Sequence, residues 1–147
     1  MSDLFWTKEV EYIKSQRLAR VGTASKDGVP DVAPVGFDFD GKYFYVGGMD
    51  LTKTHKYKNT IKNPQVSFVI DDLKSIEPWH PRFIKIFGTA DLVTRNGYLG
   101  QATYIRITPK RKTSWGRREI GRATTLPSVP LVNRYCERDR RIGSSTN

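Results

Sequence analysis

Cysteine is almost absent from this chain of 147 residues: Cys136 is its only example, so no internal disulfide can form. Long apolar runs are missing too, and no stretch approaches the roughly 18 residues that span a bilayer. Residues 1–8 lack the basic start and the apolar stretch of a secretory signal peptide. We therefore expect a cytoplasmic protein that has no membrane partner.

Side chains that usually carry chemistry are sparse as well. His55 and His80 have no ligand partners at a spacing that suits a metal ion, so no metal site is predicted. Cys136 lies far from any base in the sequence, and no Ser-His-Asp set or carboxylate pair stands out. The catalytic residue therefore stays unknown. A bound cofactor that carries the chemistry would explain this absence.

The composition fits one folded domain that ends in a basic segment. Hydrophobic residues make up 37% of the chain and aromatic residues 12%, which is enough for a core. From Lys110 onward, ten lysines and arginines face three acids, so this part carries +7 of the total +10. A basic tail suits nucleic acid or an acidic membrane. Because it lacks regularly spaced aromatic residues for base stacking, we favour a solvated tail and do not expect nucleic acid as a partner.

Hydrophobic alternation and turn residues predict six strands and two helices. One helix is capped by Thr7, and the other begins near Thr52 or Thr54 and ends at Asn63-Pro64. Two helices are too few to cover both faces of a parallel sheet, so short strands joined by tight turns favour a closed antiparallel sheet. The predicted strands are Leu18–Thr23, Val29–Phe39, Lys42–Val46, Gln65–Ile70, Arg82–Val93 and Tyr104–Thr108.

Prolines and glycines mark the irregular parts of this pattern. Pro30 and Pro34 lie inside the second predicted strand, which therefore needs an edge position, a bulge or an interruption. Leu73–Pro81 contains two prolines and is predicted to be a loop. Gly88 predicts a bend or bulge in the fifth strand, and Asn96-Gly97 predicts the turn that follows it.

The segment after the third strand has the composition of a phosphate site. Gly47-Gly48 lets a ligand approach the backbone, and free amides at the following helix start favour an anion. Lys53 and Lys56 are three residues apart, so on a helix they would share a face and clamp one phosphate. A solvated basic helix is the alternative. The glycine pair directly before the helix favours phosphate.

Several short motifs, taken in order, resemble the pyridoxamine 5′-phosphate oxidase-like split-barrel superfamily over Phe5–Gly116. Asp71-Asp72 with the later Pro78-Trp79, and the closing Ser114-Trp115-Gly116, resemble the branch assigned to coenzyme F-420, a deazaflavin. The remaining motifs are Arg20-Val-Gly-Thr-Ala, Asp27-Gly-Val-Pro, Ala33-Pro-Val-Gly-Phe, Thr52-Lys-Thr-His-Lys-Tyr-Lys-Asn, Val66-Ser-Phe-Val-Ile, Arg82-Phe-Ile-Lys-Ile-Phe-Gly-Thr-Ala and Ile105-Arg-Ile-Thr-Pro.

The resemblance implies an α+β fold that is mainly β, a six-stranded antiparallel split β-barrel that works as a homodimer. Residues 1–116 would form the cofactor-binding domain, and residues 117–147 the basic tail, where we expect weak order after about residue 120 and see no match to the family. In this superfamily the cofactor lies between the subunits. Whether the tail wraps the partner or is an unrelated annex stays open.

The resemblance also assigns roles by position. Lys56 falls where the family places its cofactor-phosphate lysine, flanked by Thr54 and His55, with Lys53 assisting. Trp79 and Arg82 each have a structural alternative: Trp79 would plug the barrel end, and Arg82 would pair with Asp71 or Asp72. The full cofactor-binding set is Pro34, Val35, Gly36, Gly47, Gly48, Met49, Lys53, Thr54, His55, Lys56 and Asn59, with Trp79, Arg82, Phe83 and Lys85 reaching the site from the partner chain.

The implied activity is an oxidoreductase that binds coenzyme F-420 and passes a hydride to an electron-poor C=C or C=N of a small molecule. A phosphate clamp suits FMN equally, so an FMN-dependent enzyme similar to pyridoxamine-phosphate oxidase is one alternative. A non-catalytic protein that binds a flavin, a deazaflavin or haem is another.

Overall fold

The structure is a computed structural model, and its fold, contacts and exposures are those of residues 4–116. The tail from residue 117, with the expectation of weak order after residue 120, lies outside the described residues. The elements of residues 4–116 are α1 (Thr7–Ser15), β1 (Leu18–Ala24), β2 (Pro30–Gly36), β3 (Asp38–Phe39), β4 (Phe44–Val46), a 3-10 turn (Leu51–Lys53), α2 (His55–Lys62), β5 (Gln65–Ser75), β6 (His80–Gly97) and β7 (Gly100–Trp115).

The strands of residues 4–116 form one antiparallel sheet in the order β2-β1-β5-β6-β7-β4-β3. β2 and β3 lie at opposite edges of this sheet, although only Phe37 separates them in the chain. The sheet must therefore curl until its two edges meet. This confirms the predicted fold class, which is mainly β with few helices.

The predicted count of six strands was wrong, because residues 4–116 contain seven. The second predicted strand, Val29–Phe39, is interrupted at Phe37 and becomes β2 and β3. Its prolines explain why β2 lies at an edge: Pro34 has no N–H to donate, and β2 pairs with β1 alone.

The segment Leu73–Pro81, predicted to be a loop, is mostly a hairpin. β5 continues to Ser75 and β6 begins at His80, so only four residues separate the two strands. Leu73 pairs with Pro81 in the ladder. Pro81 is tolerated there because it is the second residue of β6, close to the start of the strand.

The turn between β6 and β7 also differs from the prediction. Asn96 and Gly97 pair with Gln101 and Gly100, so the turn residues are Tyr98 and Leu99. The predicted irregularity at Gly88 is confirmed by a register shift between Phe87 and Gly88. A side chain at Gly88 would lie 2.1 Å from the carbonyl oxygen of Thr108, so the bulge leaves no room for one.

Aromatic rings fill one end of the barrel. Phe44 is fully buried and stacks on Phe39 at a centroid distance of 4.5 Å, with Phe68 at 4.9 Å. Phe5 meets the same cluster edge-on at 5.8 Å from Phe44. These contacts fasten the segment before α1 to the core, because packed aromatic pairs add to the free energy of simple burial.

Helix α1 closes the barrel beside this cluster. Thr7 is its first helical residue and Trp6 is the N-cap, one residue earlier than predicted. The backbone N–H of Trp6 donates to the fully buried carboxylate of Glu9, which also pairs with the Lys112 ammonium. Neither helix of residues 4–116 has the length and apolar content that crossing a bilayer requires.

Candidate functional site

The predicted phosphate segment contains a capped helix start. Thr54 has an extended backbone, with φ −84° and ψ 151°, and its hydroxyl oxygen accepts from the Tyr57 N–H at 3.4 Å. The same hydroxyl donates to the Leu51 carbonyl at 2.6 Å. Because Thr54 caps Tyr57, the amides of His55 and Lys56 are the first-turn donors that the helix itself does not use.

The two lysines do not share a helix face, contrary to the prediction. Helix α2 begins at His55, so Lys56 is its second residue, while Lys53 lies in the preceding 3-10 turn. The extended backbone of Thr54 separates the two. The Lys53 side chain is 80% exposed, and its ammonium lies 3.9 Å from Asp50. Lys56 is half-buried at the helix start, which makes it the better placed of the two for a fixed anion.

Asn59 attaches this helix to the barrel. Its side-chain amide donates to the Thr23 hydroxyl of β1 at 3.0 Å, and Thr23 is buried. Asn63 adds a second link, donating to the Ser25 carbonyl at 3.3 Å. The C-terminal half of α2 is therefore held against β1 and against Ser25, the residue that follows β1.

Three glycines of the predicted site have different reasons for being glycine. At Gly47 a side chain would lie 2.8 Å from the Tyr104 ring, so internal packing alone demands glycine there. Gly36 and Gly48 would meet nothing nearer than 3.6 Å and 3.8 Å, and neither has a positive φ. Internal structure does not require these two glycines. Gly48 is exposed and presents bare backbone that a planar ligand can approach, while Gly36 is half-buried beside the Tyr98 ring.

Met49 follows this bare strip and is 98% exposed. Its side chain thus packs against no other part of residues 4–116. An exposed, flexible thioether next to bare backbone is suited to covering an aromatic ligand.

Pro34 and Gly36 lie on the outer face of the sheet. Val35, between them, is 5% exposed and faces the core, so its backbone alone borders that surface. Phe83 and Lys85 lie on the same outer face, because the intervening Ile84 is fully buried.

Pro34 and Lys85 occupy one row that crosses four strands. The ladder pairs Pro34 with Arg20, Arg20 with Val69, and Val69 with Lys85. Three strand spacings, about 14 Å, therefore separate the two ends of the row. A single chain brings the two groups of predicted site residues to one face, but does not bring them together.

Arg82 lies on the opposite side of the sheet, beneath α1. Its guanidinium makes a bidentate pair with Asp72, with Nε to Oδ1 at 2.9 Å and Nη2 to Oδ2 at 2.5 Å. Asp72 also accepts from the Tyr12 hydroxyl at 3.0 Å and from Gln16 at 3.2 Å. The structural alternative, pairing with Asp72, is therefore present in this protein, while Asp71 pairs with Arg20 at 3.0 Å.

This network changes the ionisation of its members. The hydrogen bonds from Arg82 hold the pKa of Asp72 below its usual value, against the opposing effect of burial. Burial and the neighbouring Asp72 raise the pKa of the Tyr12 phenol far above its usual value. At neutral pH the network is thus an ion pair with a phenol donor.

Trp79 lies in the turn that connects β5 and β6. It is 44% exposed, and Ile76 of the same turn is 72% exposed. This exposure excludes the barrel-plug alternative within residues 4–116. The end of the hairpin instead exposes the apolar side chains of Ile76 and Trp79 on the surface.

A groove that sequence reasoning missed crosses the outer face of β2, β1, β5 and β6, from Val32 to Phe87. It encloses about 670 Å³, and Gly22, Ser67 and Phe87 form a row across its floor. The Arg111 guanidinium lies 4.6 Å from the centre of the Phe87 ring. The residues that line this groove are far apart in the sequence. The groove could therefore be found only once the pairing of the strands was known.

Tyr98 is the second group that sequence reasoning missed. Its hydroxyl accepts from the Gly47 N–H at 2.8 Å and donates to the Gly36 carbonyl at 3.0 Å. Two glycines of the predicted site are therefore joined by one phenol. The position after Asn96-Gly97, in a tight turn, gave no signal for such a contact.

The arrangement around α2 fits a phosphorylated aromatic cofactor. Two free helix amides and a half-buried lysine supply donors for a phosphate, and the exposed backbone of Gly48 supplies a flat approach for a ring. Nothing in this donor set distinguishes a flavin from a deazaflavin.

Comparison with known proteins agrees with this fold. The family model described as pyridoxamine 5′-phosphate oxidase matches residues 5–128, which extends past Gly116, where the sequence resemblance ended. A relative from Streptomyces rimosus, a 5a,11a-dehydrotetracycline/5a,11a-dehydrooxytetracycline reductase, is 32% identical over 118 residues. That alignment covers 76% of this chain and 83% of the relative.

Solved structures show the same fold at lower identity. A conserved hypothetical protein from Mycobacterium tuberculosis has a TM-score of 0.62 at 19% identity, with 88% of this chain and 96% of that chain covered. An F-420 reductase has a TM-score of 0.52 at 22% identity, with 65% and 88% covered. As the sequence resemblance predicted, the chain belongs to the pyridoxamine 5′-phosphate oxidase family.

Proposed function

We propose that this protein is an oxidoreductase that binds coenzyme F-420 and transfers a hydride to an electron-poor C=C or C=N of a small molecule. The observation that carries the proposal is the start of α2, where free amides and the half-buried Lys56 lie next to the bare backbone of Gly48. Phosphate and ring sites thus adjoin in one continuous segment.

The cofactor phosphate would bind at the helix start. The N–H groups of His55 and Lys56 and the Lys56 ammonium would donate to its oxygens, and the positive end of the helix dipole favours the same charge. Thr54 shapes the site as the cap, since its hydroxyl is already bonded to Leu51. Exposed Lys53 would supply long-range attraction.

The ring would lie along the backbone of Pro34, Gly36 and Gly48, covered by Met49. Bound F-420 supplies the hydride, which explains the absence of an obvious acid–base set. The protein's part is to hold ring and acceptor in register and to exclude water.

A second copy of the chain would complete the site. Lys85 lies about 14 Å from Pro34 on its own protomer, so Trp79, Phe83 and Lys85 would contact the ring from the partner subunit. Leu18, Val32 and Trp115 are 48%, 70% and 37% exposed on the same outer face, which favours burial in a homodimer. Arg82 is left out of this contact set, because Asp72 holds it beneath α1.

The Streptomyces rimosus relative supports the choice of reaction. Its name describes a reductase whose substrates lack two hydrogens, at positions 5a and 11a. We infer the same reaction class here, with the acceptor unidentified. Sequence resemblance to the F-420 branch, at Asp71-Asp72 and Ser114-Trp115-Gly116, supports the deazaflavin.

FMN is the second candidate, and the family match favours it. The family model is named for an oxidase of pyridoxamine 5′-phosphate, and the α2 start would hold the FMN phosphate by the same contacts. A comparison of the two cofactors on one sample decides between them.

The test is a fluorescence titration of purified protein with F-420 and, separately, with FMN. We expect tighter binding of F-420, and a loss of about 10- to 100-fold in Lys56→Ala, the range for one charge-assisted hydrogen bond. Lys62→Ala removes the same charge at the other end of α2 and should leave affinity within about 2-fold. Tight FMN binding without an F-420 response would refute the deazaflavin, and equal effects of the two variants would refute the phosphate site.

Sedimentation equilibrium tests the dimer. Val32→Asp places a charge in the exposed outer face, so we expect a folded monomer with weakened cofactor binding. A wild-type monomer that binds F-420 fully would refute the shared site. Turnover of enones and quinones by the F-420 complex tests the reaction class, and tight binding without any turnover would favour a non-catalytic carrier.

A further inference from the structure

Tyr98 joins two parts of the barrel that are not paired as strands within residues 4–116. In this part of the chain β2 pairs only with β1 and forms one edge of the sheet, while β4 lies next to the opposite edge, between β7 and β3. The Tyr98 hydroxyl contacts the last residue of β2 and the first residue after β4, at 3.0 Å and 2.8 Å. Gly36 and Gly47 are therefore held together by a side chain from the β6–β7 turn.

We propose that Tyr98 is a positioning residue, whose hydroxyl holds Gly36 against the buried Gly47, so that Gly36 and the exposed Gly48 that follows Gly47 both contact one ring of a flavin or deazaflavin. This inference rests on the proposed function. Tyr98 does not need to touch the cofactor, because it acts through the two backbone segments.

The turn that carries Tyr98 is itself held in place. Asp38 accepts from the Tyr98 N–H at 3.2 Å and from Arg95 at 3.0 Å. The Tyr104 hydroxyl accepts from the Leu99 N–H and donates to the Gly100 carbonyl, both at 2.9 Å. The phenol is thus aimed by several contacts before any ligand binds, as preorganisation requires.

The hydroxyl performs two tasks that no other part of the ring can perform. It must accept from the Gly47 N–H and donate to the Gly36 carbonyl, and only a neutral phenol does both. Burial raises the pKa of Tyr98, so the phenol keeps its proton at neutral pH. The Tyr98 ring also faces Gly36, because a Cβ built on Gly36 would lie 3.6 Å from the ring edge.

The experiment compares Tyr98→Phe with Tyr12→Phe. Both remove one phenol oxygen that makes two hydrogen-bond contacts, but the Tyr12 hydroxyl contacts Asp72 and the Arg82 carbonyl and takes no part in the β6–β7 turn. The cofactor-free readout is hydrogen exchange of the Gly47 amide by NMR. The second readout is the dissociation constant for F-420, or for FMN if the wild type prefers it.

For Tyr98→Phe we expect Gly47 exchange at least about 10-fold faster and a dissociation constant about 10-fold higher, the effect of losing two neutral hydrogen bonds. Tyr12→Phe should lower thermal stability while leaving Gly47 exchange and affinity within about 2-fold. Should Tyr98→Phe fail to fold, Asp38→Asn loosens the same turn and is expected to shift both readouts in the same direction.

Faster Gly47 exchange with unchanged affinity would overturn the positioning role, and so would equal effects of the two variants. If the wild type binds neither cofactor, the proposed function fails first. The positioning role of Tyr98 is then refuted as well, even if faster Gly47 exchange in Tyr98→Phe shows that the hydrogen bond to Gly47 exists.

Discussion

Asp72→Asn is the perturbation that best separates a structural from a ligand role at Arg82. The substitution keeps the shape of the side chain and an acceptor for Tyr12, but removes the charge that holds the Arg82 guanidinium. The pair is largely shielded, with side-chain exposures of 24% for Asp72 and 22% for Arg82. Losing one partner therefore leaves the other charge partly desolvated.

The magnitude follows from that exposure. Breaking a fully buried pair costs about 3–5 kcal/mol and an exposed one about 0–1 kcal/mol. For this partly shielded bidentate pair we expect the free energy of unfolding to fall by about 2 kcal/mol. In a domain of this size that corresponds to a fall in Tm of about 8 °C.

The assay is urea unfolding of wild type and variant over a range of pH. Hydrogen bonds from Arg82 lower the Asp72 pKa from its usual 3.8, so its contribution is full above that value and is lost as pH falls through the folded pKa. The difference between wild type and variant should therefore be full at pH 7 and shrink below about pH 4.

The matched control is Asp91→Asn. Asp91 makes the same bidentate, cross-strand contact with Arg106, at 3.0 and 2.6 Å, but Asp91 is 52% exposed. Its loss should cost less than about 1 kcal/mol. Equal costs for the two variants, or a cost at Asp72 that does not change with pH, would refute the reasoning.

Two further predictions concern stability and are measured by urea unfolding. Gly88→Ala places a Cβ 2.1 Å from the Thr108 carbonyl oxygen, so we expect the free energy of unfolding to fall by at least about 2 kcal/mol. Gly41→Ala is strained by its φ of 99° but meets nothing within 4 Å, so we expect a fall of about 1 kcal/mol. A smaller fall for Gly88→Ala than for Gly41→Ala would contradict this. Phe44→Ala removes a fully buried ring from the aromatic cluster and should cost about 3–5 kcal/mol; a loss below about 1 kcal/mol would show that the cluster collapses around the gap.

Much of the fold was predictable because it depends on local signals. Alternating hydrophobic residues and turn residues gave β1, and the confirmed bulge at Gly88 followed from a glycine inside a strand. The strand count was wrong because the interruption at Phe37 depends on where the sheet closes. No local pattern encodes that closure.

The helix start shows where periodicity misleads. Lys53 and Lys56 are spaced for one helix face, but Thr54 takes an extended backbone as the N-cap and places them in different elements. The cap competes with helix propagation, and it wins because its hydroxyl satisfies both Tyr57 and Leu51.

The sequence alone determined the family, the mainly β class and the segment from Gly47 to Asn59 as the phosphate candidate, since each depends on residues close together in the chain. Only the tertiary structure decided the positions of Arg82 and Tyr98. The partners of Arg82 include Tyr12, which is 70 residues away, and those of Tyr98 include Gly36, which is 62 residues away. Contacts of this length depend on how the sheet curls, which is a property of the whole packed chain and not of any segment within it.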